Sequence, residues 1–182
     1  MRTIRLTLLG LLVSASASPA QESSKEKPVT EIRFGCHSNA TDADLAALKI
    51  YPELRTLDLL SDKITDAGLE HLKALPKLET LHLNSSVITD KGLEHVAAIP
   101  TIRNLLLFRT EVTADGLALL KKLPALRDLS LWRIPVTTEG VAQLKELTKL
   151  EKLGFGQLKP ESREKAAELV TLLPRTTISF SR

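Results

Sequence analysis

Apolar residues recur at fixed positions along most of this chain. Four consecutive blocks of 24 residues, 55–78, 79–102, 103–126 and 127–150, align without an insertion. The apolar columns begin in the first block with Leu57, Leu59, Ile64, Leu69 and Leu72. Self-similarity at a fixed period of roughly 20 to 50 residues predicts a repeat architecture, in which each block is one supersecondary unit.

Each block changes its hydrophobic period halfway along. Leu57 and Leu59 are two residues apart, the period of a strand with one buried face. Leu69, Leu72 and Leu75 then recur every three residues, which places them on one side of a helix. Each block therefore predicts a strand, a turn and a short helix. One unit cannot bury its apolar face alone, so the units should stack with their strands in a parallel sheet.

Polar residues and glycines mark the start of each predicted helix. Thr65 precedes the helical run as an N-cap, and Asp66 follows in the first turn, where its charge suits the helix dipole. Equivalent caps are Thr89, Thr113 and Thr137. A glycine follows in every block, at Gly68, Gly92, Gly116 and Gly140. Because glycine is unfavourable inside a helix, its recurrence predicts close packing that a side chain would obstruct.

The repeat is atypical at both ends. Ile32 and Phe34 match the strand columns before the first regular block. After the last block, the pattern predicts a strand at 153–155, a longer polar helix at 163–173 and a closing strand at 178–180. The whole gives about seven strands, with terminal units that shield the ends of the stack.

The first twenty residues have the features of a secretory signal peptide. Arg2 and Arg5 give a positive start, 6–13 is a largely apolar run, and small residues with one proline lead to Ala20. This pattern predicts cleavage after Ala20. A membrane anchor is the alternative, but the apolar run is too short to cross ~30 Å of hydrocarbon. We therefore expect a secreted, periplasmic or cell-envelope protein.

The segment after the signal peptide divides into a linker and one domain. Residues 21–29 are polar without an apolar period, which predicts a flexible linker before the repeat domain at 30–182. Cys36 is the only cysteine, so no disulfide within the chain is possible. A buried, inert thiol is the favoured interpretation, and a free thiol or a bridge to another chain stays open.

The charge balance argues against one class of partner. The chain has 25 basic and 22 acidic residues, a formal net charge of +3. Residues 1–20 hold two arginines and no acidic residue, so the remainder carries only +1. This remainder lacks the basic excess of proteins that bind nucleic acids by neutralising phosphates.

The string I-T-D-A-G-L-E-H-L at 64–72 resembles the repeats of bacterial leucine-rich repeat proteins. It is also similar to the cysteine-containing repeats of F-box substrate receptors. The resemblance covers about 30–182 and implies an α/β fold, a leucine-rich repeat solenoid forming a right-handed horseshoe segment. It further implies a concave parallel sheet, helices on the convex side and a role in protein recognition. The same repeat serves many unrelated functions, so it specifies no partner.

The turn after each strand departs from that family. Its members often have Asn, Cys or Thr where this chain has Asp62, Ser86, Thr110 and Ile134. The side chain of Ile134 cannot donate or accept a hydrogen bond. We therefore expect the polar ladder of the turns to be interrupted at that repeat.

Residues between the buried leucines should form columns on the exposed face of the sheet, ~4.8 Å apart. One predicted column is Leu60, Asn84, Phe108 and Trp132, and the next is Ser61, Ser85, Arg109 and Arg133. The candidate binding patch on the concave face is Leu106, Phe108, Arg109, Trp132 and Arg133. Aromatic residues mixed with arginine are typical of interaction hot spots. The alternative is that residues just past the strand fold over the turn and are partly buried.

A catalytic interpretation has less support. Asp58 and His82 on adjacent strands could pair and, with a serine, would resemble a hydrolytic triad. Ser130 is two strands from His82, roughly 10 Å by strand spacing, which is beyond the reach of a nucleophile. Ser85 is nearer, but no glycine-rich loop offers an oxyanion hole. We therefore expect no enzyme.

Two further polar patterns predict no site. His71 and His95 occupy one helix column in neighbouring repeats, ~10 Å apart, so we expect a solvated surface there and no metal site. Asn39 and Asn84 begin glycosylation acceptor patterns, which matter only in a eukaryotic secretory pathway. Thr41, in the first of these patterns, already serves as a helix cap. We expect no cofactor and no membrane span in the mature chain.

The sequence thus predicts an exported binding module that recognises a protein or peptide through its concave face. A structural or adhesive envelope protein, stacking on other repeat proteins through its open ends, is one alternative. A hydrolase that uses Asp58 and His82 is the alternative from another class. The partner and the oligomeric state stay open.

Overall fold

A computed structural model of the protein describes residues 3–5, 28–35, 39–85, 87–134, 136–156 and 158–180. Within these residues, eight strands form one parallel sheet whose strand order follows the chain. The strands are β1 (Thr3–Arg5), β2 (Glu31–Phe34), β3 (Thr56–Leu60), β4 (Thr80–Asn84), β5 (Asn104–Phe108), β6 (Asp128–Trp132), β7 (Lys152–Phe155) and β8 (Thr177–Phe180). The predicted α/β class is confirmed, and β2–β8 lie at the seven positions that the repeat pattern predicted.

The strand β1 lies inside the segment predicted to be the signal peptide. It pairs with β2 through the partners Thr3–Glu31, Ile4–Ile32 and Arg5–Arg33. If cleavage occurs after Ala20, β1 is lost and β2 becomes the edge of the sheet. Val29, the last residue of the predicted linker, packs against the hydrophobic core.

Helical segments connect the strands from β2 onward. The α-helices are α1 (Asp42–Ala47), α2 (Asp66–Leu69), α3 (Asp90–Ala97), α4 (Ala114–Leu119), α5 (Thr138–Leu144) and α6 (Pro160–Leu172). Three of them continue as 3₁₀ turns, at Leu48–Ile50, Glu70–Ala74 and Leu120–Lys122. A 3₁₀ helix has three residues per turn, which suits the spacing of three between Leu69 and Leu72. The sequence had predicted one short helix in each of these crossovers.

The predicted apolar columns form one continuous core. Leu57, Leu81, Leu105 and Leu129, which are partners in adjacent strands, are at most 2% exposed. They share a cluster with the helix leucines of every repeat. Full burial of one such side chain contributes about 1.5–3 kcal/mol. Stacking of the repeats is therefore what removes each apolar face from water.

The C-terminal unit closes the core as predicted. Phe155 of β7 is fully buried, and its ring stacks on that of Phe180 in β8 with 5.7 Å between the centroids. The last helix, α6, is longer than the other described helices, and the side of it that faces away from the core is largely exposed to solvent. Val170 and Leu172 on that side are each 56% exposed.

An aspartate of each early repeat binds the helix start of the next repeat. The backbone N–H of Thr65 donates to Oδ1 of Asp42 at 2.8 Å, and the Thr65 hydroxyl donates to Oδ2 at 2.7 Å. The same pair of bonds joins Thr89 to Asp66 and Thr113 to Asp90. Hydrogen bonds to a charged acceptor are about twice as strong as neutral ones. The four predicted threonines lie at the N-cap positions, and the side chains of all but Thr65 accept a hydrogen bond from the backbone of their own helix. The aspartate also links successive repeats.

The recurring glycine makes room for that aspartate. A Cβ atom built on Gly116 would lie 2.0 Å from Oδ1 of Asp90, and one on Gly68 would lie 2.1 Å from Oδ1 of Asp42. Gly92 meets Asp66 in the same way. Close packing was predicted at these glycines, and the group that requires it is the carboxylate of the preceding repeat.

The last regular repeat lacks this arrangement. Ala114 occupies the position of the aspartate, so Thr137 has no carboxylate from the repeat before it. A Cβ atom built on Gly140 would meet Leu117 Cδ1 at 3.2 Å and Ala114 Cα at 3.7 Å. Gly140 therefore provides an internal control for the other three glycines.

We predict that Gly116→Ala lowers the free energy of unfolding by about 1–3 kcal/mol, because the new methyl group displaces the Asp90 carboxylate. In an Asp90→Ala background the same substitution should change the free energy of unfolding by less than about 1 kcal/mol, because alanine is the better helix former and the remaining close contact is with Val112 Cγ1 at 3.0 Å. Urea unfolding of the two single variants and the double variant measures this coupling.

The matched control is Gly140→Ala, for which we expect a change within about 1 kcal/mol. Equal effects of Gly116→Ala with and without Asp90 would contradict the coupling between the glycine and the aspartate.

Candidate functional site

Side chains between the buried leucines project from the sheet face opposite the core. We call this the outer face. One row across it runs Arg33, Asp58, His82, Leu106 and Ser130, which are partners in adjacent strands. The alternation of buried and partly exposed residues in β4, β5 and β6 fixes which side chains lie there.

The five residues of the predicted patch lie together on this face. Phe108 and Trp132 are direct partners in β5 and β6, and Leu106 lies two residues before Phe108. These three side chains are half-buried, whereas Arg109 and Arg133 are exposed. We call Leu106, Phe108, Arg109, Trp132 and Arg133 the aromatic–arginine patch.

The two repeats of the patch contact each other through a cation–π pair. The guanidinium carbon of Arg133 lies 5.7 Å from the centroid of the Phe108 ring in the preceding repeat. At an exposed site such a contact contributes about 0.5–1 kcal/mol. It holds the Arg133 side chain over the aromatic part of the patch.

Both arginines have a left-handed backbone conformation. The φ angle is 54° at Arg109 and 53° at Arg133. For a residue with a Cβ atom, this conformation costs roughly 1–2 kcal/mol. The N–H of Arg109 donates to the carbonyl of Trp132 at 3.0 Å, so β5 and β6 remain joined across the turn.

Gly156 packs closely against the backbone before the turn at Arg133. The repeat pattern had not been used to predict a role for this glycine. Its N–H donates to the carbonyl of Leu131 at 2.7 Å. A Cβ atom at Gly156 would lie 3.1 Å from Trp132 Cα and 3.2 Å from the Arg133 nitrogen. The signal was present in the sequence, because Gly156 follows Phe108 and Trp132 in the same column of the repeat.

The prediction that Ser61 and Ser85 share a surface column with the arginines is wrong. They are 6% and 3% exposed, and the Ser61 hydroxyl donates to the carbonyl of Ala40 at 2.7 Å. With a period of two, the residue after β3 or β4 returns to the inner side. In the next two repeats the left-handed turn places the arginine outside, and Thr110 and Ile134 become buried instead.

Asp58 and His82 meet as predicted. His82 Nδ1 lies 2.5 Å from Asp58 Oδ1, and Arg33 Nε lies 3.2 Å from Asp58 Oδ2. Leu106 separates His82 from Ser130 in the row. Ser85 is buried, with its hydroxyl 3.5 Å from the carbonyl of Ile64. Neither serine is therefore placed as a nucleophile for His82.

The other polar candidates form no common site. Nδ1 of His95 lies 3.1 Å from Nζ of Lys73 on the helical side. In the part of the chain that the structure describes, no three His, Cys, Asp or Glu residues could hold one metal ion. Asn39 accepts a hydrogen bond from Lys63 at 3.0 Å, while Cys36 and Ser86 lie outside the described residues.

Comparison with protein families and with curated proteins finds no relative of the chain. No protein-family model matches it, and no curated protein matches it in sequence. Among the described residues, no helix has both the length and the apolar character required to cross a lipid bilayer.

We predict that the left-handed turn makes position 133 sensitive to side-chain branching. Arg133→Asn should leave the free energy of unfolding within about 1 kcal/mol, because Asn tolerates this conformation. Arg133→Val should lower it by roughly 1–2 kcal/mol more. Urea unfolding followed by circular dichroism checks both variants.

Arg103 is exposed and is not a residue with positive φ. Its Asn and Val variants should therefore differ by less than about 0.5 kcal/mol. If Arg133→Val were as stable as Arg133→Asn, the backbone at residue 133 would not be held in the left-handed conformation.

Proposed function

We propose that the chain is an exported leucine-rich repeat solenoid that binds a protein or peptide partner through the aromatic–arginine patch. The four 24-residue blocks and a parallel sheet in chain order support the solenoid. In such a solenoid the outer face of the sheet is the concave face. A concave sheet presents side chains from several repeats to one extended partner.

The left-handed arginines are the observation that carries this proposal. Two adjacent repeats hold a large charged residue in a conformation that favours glycine. Strained backbone of this kind is found preferentially at binding and catalytic sites. Arg109 and Arg133 flank the only Trp of the chain and a half-buried Phe. Trp and Arg are the residue types most enriched in interface hot spots.

A structural or adhesive role is the second candidate, and it rests on the ends of the sheet. The outer edge of β8 has no neighbouring strand among the described residues. Val170 and Leu172 on α6 add exposed apolar surface to that end. An unpaired edge can take another strand, so copies of the chain could join end to end. A hydrolase using Asp58 and His82 has less support because neither serine is within reach.

We predict that Trp132→Ala combined with Phe108→Ala abolishes capture of the partner and leaves the far-ultraviolet circular dichroism unchanged. The reason is that both rings lie on the outer face, where they support no helix or strand from inside. Capture from an envelope or secreted fraction, followed by binding of the identified partner in purified form, measures the effect.

The matched control is Leu60→Ala combined with Asn84→Ala, in the same column of the two preceding repeats. It should retain binding. Loss of folded structure in the patch variant would show that the rings belong to the core. Capture of nothing but further copies of the chain would favour the structural role.

We also predict that the exported protein begins at Gln21. Mass spectrometry of the amino terminus of protein recovered from the periplasm or the medium tests the cleavage after Ala20. Substitution of Ala20 by a bulky residue should retain the uncleaved chain. An exported protein that still begins at Met1 would contradict the signal peptide.

A further inference from the structure

We propose that the partner of the aromatic–arginine patch is an acidic peptide segment. It would be extended, with two carboxylates at alternate positions on the face toward the patch and apolar side chains at the flanking positions of that same face. This inference rests on the binding function proposed above and adds the chemistry of the partner to it.

The two arginines of the patch have no acidic partner in the described part of the chain. Among the described residues, neither Arg109 nor Arg133 lies within salt-bridge distance of a carboxylate. By contrast, Arg55 is paired with Glu79 and Arg127 with Glu151, each one repeat further on. A guanidinium has five N–H donors in a planar fork that matches a carboxylate. The patch therefore presents two such donors whose preferred partner must come from another molecule.

The positive charge of the patch is local. Asp128 lies on the same strand as Trp132, but its Oδ2 is 3.2 Å from Nζ of Lys152. Further along the sheet, Asp58 is paired with Arg33 and His82. These acidic groups of the outer face thus have basic partners, whereas the two patch arginines have no acidic partner among the residues that the structure describes. An acidic ligand is the charge complement of this surface.

The spacing of the arginines suits an extended peptide. They follow partner residues of adjacent strands, and adjacent strands are ~4.8 Å apart. Alternate side chains on one face of an extended peptide are roughly 6.6–7 Å apart. The long arginine side chains can span this difference, so each guanidinium can bind one of two alternate carboxylates.

The apolar part of the patch favours a peptide over an anionic sugar. A sugar ring stacks on an open aromatic face, but Arg133 already lies over the ring of Phe108. Leu106, two residues before Phe108 on the same face, adds aliphatic surface. This surface suits the apolar side chains of a peptide, and its exclusion of water strengthens the neighbouring ion pairs.

Trp132 supplies the readout, because it is the only Trp of the chain. The full exported chain is titrated with a Trp-free peptide that has glutamate at two alternate positions, leucine at the flanking positions of the same face and serine at the positions between, and the Trp132 emission is followed. We expect a saturable change in the emission. The analogue with glutamine in place of glutamate should bind about tenfold more weakly than the glutamate peptide. The analogue with lysine should not bind.

Arginine variants test whether the patch recognises the carboxylates. Arg109→Gln combined with Arg133→Gln should weaken binding by up to about 25-fold, since each of the two exposed ion pairs contributes up to about fivefold. The control, Arg55→Gln combined with Arg127→Gln, should bind the acidic peptide as the natural chain does. Arg109→Glu combined with Arg133→Glu should reverse the preference and bind the lysine analogue.

Three results would overturn the inference. One is an equal response to the glutamate and glutamine peptides or no response to either, and another is binding that ignores the arginine variants. The third is an arginine-dependent response to oligogalacturonate that exceeds the response to the peptide, which would assign an anionic polysaccharide instead.

The same variants separate this inference from the proposed function. If a captured partner is lost with Trp132→Ala and Phe108→Ala but kept with Arg109→Gln and Arg133→Gln, the patch binds and the acidic chemistry is wrong. If the aromatic variant also keeps the partner, the proposed function itself fails.

Discussion

The contact that joins the early repeats is the one between the aspartate of one repeat and the helix start of the next. It satisfies a backbone N–H and a hydroxyl of the capping threonine with one carboxylate, as in Thr89 and Asp66. It also requires a glycine, because a Cβ atom at Gly92 would lie 2.4 Å from the carboxylate oxygen. Threonine, aspartate and glycine are therefore one unit of inter-repeat recognition. It joins successive helices from α1 to α4, while the strand register that makes outer-face residues neighbours continues unchanged between β5 and β6, whose repeats lack the contact.

The patch results from the regular register of the strands together with the left-handed turns at Arg109 and Arg133. Regular stacking makes Phe108 the partner of Trp132. The left-handed turns then place Arg109 and Arg133 outside, where the earlier repeats bury Ser61 and Ser85. The aspartate contact is absent where Ala114 replaces the aspartate, shortly after the left-handed turn at Arg109. The regular part of the repeat thus supplies a scaffold, and its irregular part supplies the surface that we propose for binding.

Much of the fold and of the patch could be predicted from the sequence, because the period of the apolar residues indicates which side chains are buried. The 24-residue spacing of equivalent positions predicts the strands, the threonine caps and the neighbours Leu106, Phe108 and Trp132. Two features could not be predicted in this way. Ser61 and Arg109 occupy equivalent positions of the repeat, yet Ser61 is buried and Arg109 is exposed. The positive φ angle at residue 109 accounts for this difference. Close approach of Gly156 to the backbone of Trp132 depends on three-dimensional packing that no single repeat encodes.

Amide hydrogen exchange of the chain, alone and in complex with its captured partner, tests the central claim most directly. If the aromatic–arginine patch is the binding surface, added protection should be concentrated at the ends of β5 and β6, around Phe108–Arg109 and Trp132–Arg133. The helical side should exchange as it does in the free protein. Protection centred instead on β8 and α6 would contradict the account, because it would place the interface at the end of the sheet.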